Sequence, residues 1–382
     1  MTGDRLRILH VVPFFPPHLG GMEQRTFELA CEQARRGHDI TVLTSAEPGL
    51  PASEDTGEGF RIERVPIFSP ARTLPLLPTL GTRLRRLPTP AVWQVGVSHA
   101  FFVEQVALAA RSRGQAFIAQ MHIDPQRTTR LGVFLGPYKR ALLGPALRAA
   151  RAVVSPTKGY SQRVAGVYGL SEDKVQVIPP GNRFEVPIPR DLRAGDAELR
   201  LLTVGRLAPE KNLELMLRAM RQMTADREFP EVSLTVVGDG PSQASLSRAV
   251  AEMGLGSRVH LAGRLDGPDL EAAYRQADVF LMTSSEESFG CVIPEAMAHG
   301  LPVIVPDIDG PRDIVTDGVS GLIVGHDASQ IAAAVGRVAR EPDLHRRLVA
   351  GGEELIPRYA WRAVADRWED LYRRVGAASS VR

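Results

Sequence analysis

The chain has 382 residues, 44% hydrophobic and 24% charged, an ordinary composition for a globular protein but too long for one compact core, so roughly two to three domains are expected. Its net charge is +2, and its two cysteines, Cys31 and Cys291, fit neither a zinc spacing nor a disulfide framework; a reducing, cytoplasmic setting is expected. No window approaches the roughly 20 apolar residues that cross a bilayer, and Pro13, Pro16 and Pro17 cut the N-terminal apolar run short of a signal peptide.

In chain order, "RILHVV" reads as a buried strand running into a loop, followed by the helix "EQRTFELACEQARRG" and the strand "HDITVLT". "FSPARTLPLLPTLGTRLRRLPTPAVW" is the least regular stretch. Pro75, Pro78, Pro88 and Pro90 bar a long helix there, and an irregular surface loop is expected. "QAFIAQMH" and "AVVSPT" are further strands. The second half repeats the rhythm with "RLLTVG", the helix "NLELMLRAMRQM", and the strands "SLTVVG", "VHLAG", "VFLMTS" and "PVIVP". Nearly continuous Val/Ile/Leu strands between helices predict parallel sheets covered on both faces, one doubly wound sheet in each half.

The Pro-rich, aperiodic stretch at 181–198 separates the halves, and the charge changes sign across it. Residues 1–195 hold 25 Lys/Arg against 16 Asp/Glu, and residues 196–382 hold 21 against 28. Between Arg61 and Arg163, 16 basic residues face only Glu63, Glu104 and Asp124. That excess is either an arginine-rich solvated face or an attraction for something anionic, such as a phosphorylated acceptor or a membrane surface. The closing "WRAVADRWEDLYRRV" is an amphipathic helix with Trp361, Val364, Trp368 and Leu371 as its apolar stripe.

Two stretches carry chemistry. In "LLTVGRLAPEKNLELML", Gly205 and Arg206 fall where a buried strand ends, and Asn212 has the character of an N-cap for the next helix. Ligands of open α/β sheets bind outside the carboxyl ends of strands. Arg206 and Lys211 would therefore reach a cleft together and suit a diphosphate; the plain alternative is a loop in which Lys211 pairs with Glu210. In "SSEESFGCVIPEAMAHG", Pro294 suits the first turn of a helix and Gly300 its end. Amides near Phe289, Gly290 and Cys291 would lie at that helix start, where free N–H groups attract phosphate. Glu287 and Glu295 could each accept from the paired hydroxyls of a sugar; alternatively Glu295 is a favourable first-turn acid and Glu287 is simply solvated.

"VGRLAPEKNLE" followed by "EESFGCVIPEAMAHGLPVIV" resembles the signature of the retaining nucleotide-sugar glycosyltransferases of family four, which have the GT-B fold, and the spacing of Glu287 and Glu295 matches the E-x7-E motif of that family. The likeness extends over almost the whole chain, through "HVVPFFPPHLGGMEQRTFELACEQARRGHDITVLT", "VVGDGP" and "DGPRDIVTDGVSGLIV". It implies an α/β chain with two Rossmann-like parallel-sheet domains facing each other across a cleft. These would be an acceptor-binding domain over 1–185, a nucleotide-sugar-binding domain over 196–360, and a helix over 361–382 packing back on the first. It implies that Arg206 and Lys211 hold the donor diphosphate, with Phe289, Gly290 and Cys291 alongside and Gly20 and Gly21 closing from the N-terminal side. It places Glu295 and Arg264 on the ribose and nucleoside, Glu287 on the transferred sugar, and His122 beside the reacting sugar. His99 is a further acceptor-site candidate. "VIPPGNR" departs from the family pattern, with Pro180 where Asn is usual and Arg183 where an acid is common.

The implied reaction is metal-independent, retaining transfer of a hexosyl unit from a UDP- or GDP-sugar to a hydroxyl. The donor is a co-substrate, and no separate cofactor is expected. The acceptor would be a small molecule, a lipid-linked compound or a glycan. No nucleic-acid partner is expected, and the basic first half leaves room for peripheral membrane contact. The Asp307-Ile308-Asp309 triplet could hold a divalent cation, but it lies on a loop that matches the metal-free family. A nucleotide-sugar epimerase is the rival enzyme, and a non-catalytic sugar-nucleotide binder the rival module. An NAD enzyme is ruled out because Gln243 stands where the third glycine of a dinucleotide fingerprint belongs.

Overall fold

A computed structural model describes residues 5–18, 20–68, 77–87, 92–122, 135–188 and 198–377. Contacts divide the chain into unit 1, Met1–Gly181 with Trp361–Arg382, and unit 2, Asn182–Ala360.

The described strands of unit 1 are β1 (Arg7–Val11), β2 (Asp39–Ser45), β3 (Ser53–Asp55), β4 (Arg61–Val65), β5 (Val92–Val97), β6 (Phe117–Met121), β7 (Ala152–Ser155) and β8 (Val175–Val177). They lie in the order β3-β4-β2-β1-β5-β6-β7-β8, parallel except for β3 against β4. Both faces are covered, because alternate residues of a strand enter opposite cores: Ile8 packs with Trp361 and Trp368, while Leu9 and Val11 pack with Phe102 and Val106. The stripe Trp361, Val364, Trp368 and Leu371 is buried on the former face. Arg36 fixes that helix with bonds from its Nη1 to Asp366 at 2.6 Å and Glu369 at 2.8 Å.

The Pro-rich stretch around residue 80 is not wholly a loop. Leu80–Arg86 is a helix with Leu80 and Leu84 buried, as is Leu77 before it. Its apolar residues recur at helical spacing, and packing against the core outweighs the flanking prolines. Residues 69–76 and 88–91 lie outside the described set. β5, "VWQVGV", is fully buried, and its first two residues, Val92 and Trp93, fall inside the stretch expected to be irregular.

Unit 2 has β9 (Glu198–Val204), β10 (Glu231–Val237), β11 (Val259–Gly263), β12 (Val279–Leu281), β13 (Val303–Pro306) and β14 (Leu322–Val324), all parallel, in the order β11-β10-β9-β12-β13-β14. Leu201 and Val236 enter one core and Leu202 and Val237 the other. In both units the strand order reverses beside the first strand, between β1 and β5 and between β9 and β12. Such switch points open a crevice at the carboxyl ends of the strands. Among the described residues no helix is long and apolar enough to cross a membrane.

A buried polar chain crosses unit 1. His10 Nε2 and Gln33 Oε1 are 2.7 Å apart, Gln33 Nε2 donates to Tyr372 OH at 2.9 Å, Tyr372 donates to Gln94, and Gln94 Nε2 donates to Gln120 Oε1 at 2.5 Å. Burial, opposed only by the Gln33 bond, depresses His10 from 6.5 to about 4. The unfolded chain therefore takes up this proton first as pH falls. Stability present above pH 6.5 is lost on descending towards about 4, by about 3 kcal/mol in the limit. Urea midpoints measured across this range should fall less steeply for His10→Gln than for the parent chain; equal slopes would remove His10 from the account.

Candidate functional site

Arg206 follows β9, and Lys211 closes a turn of 3-10 helix, Pro209–Lys211, before the helix Leu213–Ala225. Asn212 occupies the N-cap position, but its side chain caps nothing. Its backbone is left-handed (φ +49°), a conformation Asn tolerates better than most residues, so it serves the turn and not the helix dipole. That turn brings Lys211 beside the end of β9, its Cε 3.9 Å from where a Cβ on Gly205 would stand. Lys211 and Arg206 line one small cavity with Thr203, Leu207, Thr283 and Ser284. Lys211 Nζ lies 2.6 Å from Glu287 Oε2, with side chains 25% and 17% exposed. The Glu210 pairing weighed from sequence does not form; Glu210 instead gives its carbonyl to Ser285 N at 2.8 Å. Arg206 is exposed, and no bond from its guanidinium to another described residue is recorded.

The loops at this edge are stitched together. Thr283 Oγ1 donates to the Lys211 and Asn212 carbonyls at 3.1 and 3.2 Å. Leu207 N donates to Asp239 O at 2.7 Å, and His326 Nε2 lies 2.9 Å from Ser284 O. Glu287 Oε1 accepts from Ser288 N at 3.2 Å. Two glycines allow the close approach. Gly290 has φ +91°, and a Cβ on Gly310 would fall 2.7 Å from Glu287 O and 3.1 Å from Phe289 N. The loop bearing Glu287 thus rests on the backbone of Gly310.

Phe289 is buried, Cys291 is half-buried at the N-cap, and Val292–Ala298 is the helix that follows. Glu295 lies in its first turn, and its Oε2 accepts from Tyr274 OH at 3.0 Å. Tyr274 is fully buried and stacks on His299, which is also met edge-on by Phe184; Arg183 lies over the Phe184 ring at 4.5 Å. Tyr274 therefore sets the direction of the Glu295 carboxylate. No motif surrounds it in sequence, since it stands on another helix 21 residues upstream, and only the packing reveals it. Arg264, after β11, is exposed and turned onto Asp266 at 2.9 Å, which draws its guanidinium into a local ion pair. Asp307 likewise pairs with Arg312. Among the described residues no cluster of three or more His, Cys, Asp and Glu could hold a metal.

The unit 1 candidates gather at the carboxyl ends of β1, β5 and β6. Gly20 caps the helix Gly21–Arg35 with extended backbone (φ −175°); a Cβ there would run into the Glu23 carboxylate, whereas one on Gly21 would meet nothing. His122 follows β6, its amide donating to Val97 O at 3.2 Å. Its ring lies over Gly96, where a Cβ would fall 3.5 Å from Nε2. Burial, and then the Arg25 charge, lower His122 to about 4, so the imidazole is neutral at pH 7 and can orient a hydroxyl without adding charge. His99 Nδ1 is 2.8 Å from Ser98 Oγ, and its ring meets Phe14, which stacks on His18. Burial, and then His18, lower His99 too, while burial raises Glu23. Sequence reading missed Phe14, His18 and Glu23, which carry no spacing signal of their own.

Comparison with known proteins follows the same division. Residues 187–355 match the family model described as glycosyl transferases group 1, and residues 19–182 match that described as glycosyltransferase family 4. The D-inositol 3-phosphate glycosyltransferase of Thermomonospora curvata is 28% identical, over 98% of this chain and 95% of its own length. The phosphatidyl-myo-inositol mannosyltransferase of Mycobacterium leprae is also 28% identical, over 98% of both. Among solved structures, sucrose-phosphate synthase from Thermosynechococcus elongatus superposes with a TM-score of 0.78 at 21% identity, covering 97% of this chain and 100% of the other. Anabaena HepE in complex with UDP and glucose gives 0.76 at 17%, with the same coverage. At such identities the structures establish a shared GT-B fold.

Proposed function

Because the chain belongs to the group 1 glycosyltransferases of family four, we propose that it transfers a hexosyl unit from a UDP- or GDP-sugar to a hydroxyl, with retention of configuration and without a metal. The observation that carries this reading is the Lys211–Glu287 pair at 2.6 Å, in the cavity that Arg206 also lines. A cation already facing a carboxylate at a sheet switch point suits a ligand that is anionic at its diphosphate and rich in hydroxyls at its sugar. In the reaction, the bond from the sugar C1 to the diphosphate oxygen breaks as the acceptor oxygen bonds to C1 on the same face. The acceptor proton passes to the departing phosphate. Negative charge grows on the diphosphate, and Arg206 and Lys211 would favour that state over the ground state. Glu287 would hold the transferred sugar, Glu295, directed by Tyr274, the ribose, and neutral His122 the hydroxyls at the reacting end.

For the acceptor, we favour a phosphate-bearing polyol. Two relatives matched over nearly their whole length, named for D-inositol 3-phosphate and for phosphatidyl-myo-inositol, support this, as does the basic excess of the first half.

The test combines UDP- and GDP-sugars with inositol phosphate acceptors, with and without EDTA, and reads the glycosylated product and its anomeric form. Product that forms equally with EDTA and keeps the donor configuration is the expected result. An epimerised donor formed without acceptor, or strict dependence on a divalent cation, would overturn the reading. Glu295→Ala should raise KM for the donor about tenfold or more, the effect of a lost charge-assisted bond. Tyr274→Phe should move KM the same way but less, leaving kcat nearly unchanged. An unchanged KM in both variants would remove Glu295 from the ribose.

A further inference from the structure

The stretches leading into β6, β7 and β8 line a groove of about 1010 Å³ in unit 1. It opens at the amino ends of these strands, whereas His122 follows the carboxyl end of β6, about 17 Å away along the strand. Four cations line it: Arg111, Arg148, Arg151 and Lys174. Their recorded bonds go to carbonyls, Arg148 Nη1 to Tyr168 O at 2.8 Å and Lys174 to Arg148 O. No salt bridge to any of the four is recorded among the described residues.

Burial, and then Arg151, hold the Lys174 ammonium below its ordinary value, with Arg148 adding to the effect and Asp173 opposing it. Like charges are therefore crowded here with little local neutralisation. The acid in the lining, Glu104, accepts from Tyr138 OH at 2.6 Å, and burial raises its carboxyl. The same groove carries two exposed apolar side chains, Leu108 at 72% and Leu142 at 45%. Uncompensated cations beside exposed leucines favour an anionic amphiphile over a free anion, because only the amphiphile covers both.

We propose that this groove docks an anionic phospholipid of a membrane surface, with the headgroup phosphate among the four cations and the apolar portion against Leu108 and Leu142. The groove is lined by residues of unit 1 alone, and the proposal does not depend on the identity of the acceptor. A guanidinium fork matches a phosphate diester, and a groove of this volume is large enough for a headgroup.

The experiment is co-sedimentation of the full chain with vesicles of phosphatidylcholine alone and of phosphatidylcholine mixed with phosphatidylglycerol. Binding to the mixed vesicles only, weakened by salt, is expected. Arg111→Gln/Arg151→Gln should weaken it at least about tenfold, as the loss of two surface cations implies. Leu108→Ser should weaken it without changing its salt dependence. Melting temperature and transferase rate on soluble substrates should stay unchanged in these variants, which separates a lost docking site from a lost fold. Equal binding to both vesicle types, or undiminished binding by the double variant, would overturn the proposal. So would inorganic phosphate raising the melting temperature while neither vesicle is bound, an outcome that would mark a free-anion site.

Discussion

Lys211→Ala should lower kcat/KM for sugar transfer by roughly 10²–10³-fold, the scale of losing one preorganised charge aimed at the developing anion. Two effects add. The ammonium no longer meets the leaving diphosphate, and Glu287, 17% exposed and paired at 2.6 Å in the parent, becomes an unopposed carboxylate beside an anionic donor. Charge at the diphosphate grows towards the transition state, so kcat should fall more than donor KM rises. Adding Glu287→Gln to Lys211→Ala should recover the repulsive part in KM without restoring kcat, because the glutamine relieves the charge but replaces no cation. Lys211→Arg should recover little, since the planar guanidinium cannot occupy the space of the ammonium against Glu287. Initial rates over a range of donor concentrations, with melting curves to confirm folding, provide the measurement. Full activity in Lys211→Ala would remove this residue from the donor site.

Gly238→Ala should destabilise unit 2 by about 3 kcal/mol or more, combining a forbidden backbone conformation with overpacking. Gly238 has φ +139°, and a Cβ there would run into the carbonyl oxygen of Gly205. Neither strand can yield easily, because Gly205 N donates to Val237 O at 2.9 Å and Gly238 N to Gly263 O at 2.7 Å. The collision would also displace the loop that begins at Arg206, so the surviving folded fraction should lose donor affinity. Gly254→Ala is the control: its φ is +69°, with no atom within 4 Å of the added Cβ, and it should cost only about 1 kcal/mol. Urea denaturation distinguishes the two, and equal losses would mean that φ alone sets the penalty at Gly238.

Much of the architecture was legible because buried parallel strands must be apolar on both faces. β1, β6, β7, β9, β10 and β13 stand out as short Val/Ile/Leu runs for that reason. β3, β4 and β8 carry no such run: charges interrupt Ser53-Glu54-Asp55 and Arg61-Ile62-Glu63-Arg64-Val65, and a glutamine interrupts Val175-Gln176-Val177. The helix Leu80–Arg86 was hidden by its prolines, which limit length but do not prevent a helix of two turns once Leu80 and Leu84 find a core.

At the candidate site, the chemical inventory is legible along the chain: Arg206 at a strand end, two acids flanking a glycine turn, and a helix with Pro294 in its first turn and Gly300, φ +68°, just past its end. Chain-local chemistry fixes such features, since a turn needs its glycine and a first turn tolerates its proline. The partners of these residues come from the fold. It gave Lys211 to Glu287 instead of Glu210, aimed Glu295 by Tyr274, set Gly310 beneath the Glu287 loop, and left Arg264 on Asp266. Each of these contacts joins residues from different loops or helices or, for Arg264, depends on a side-chain orientation set locally. Strand order determines which loops become neighbours, and no spacing along the chain encodes that order.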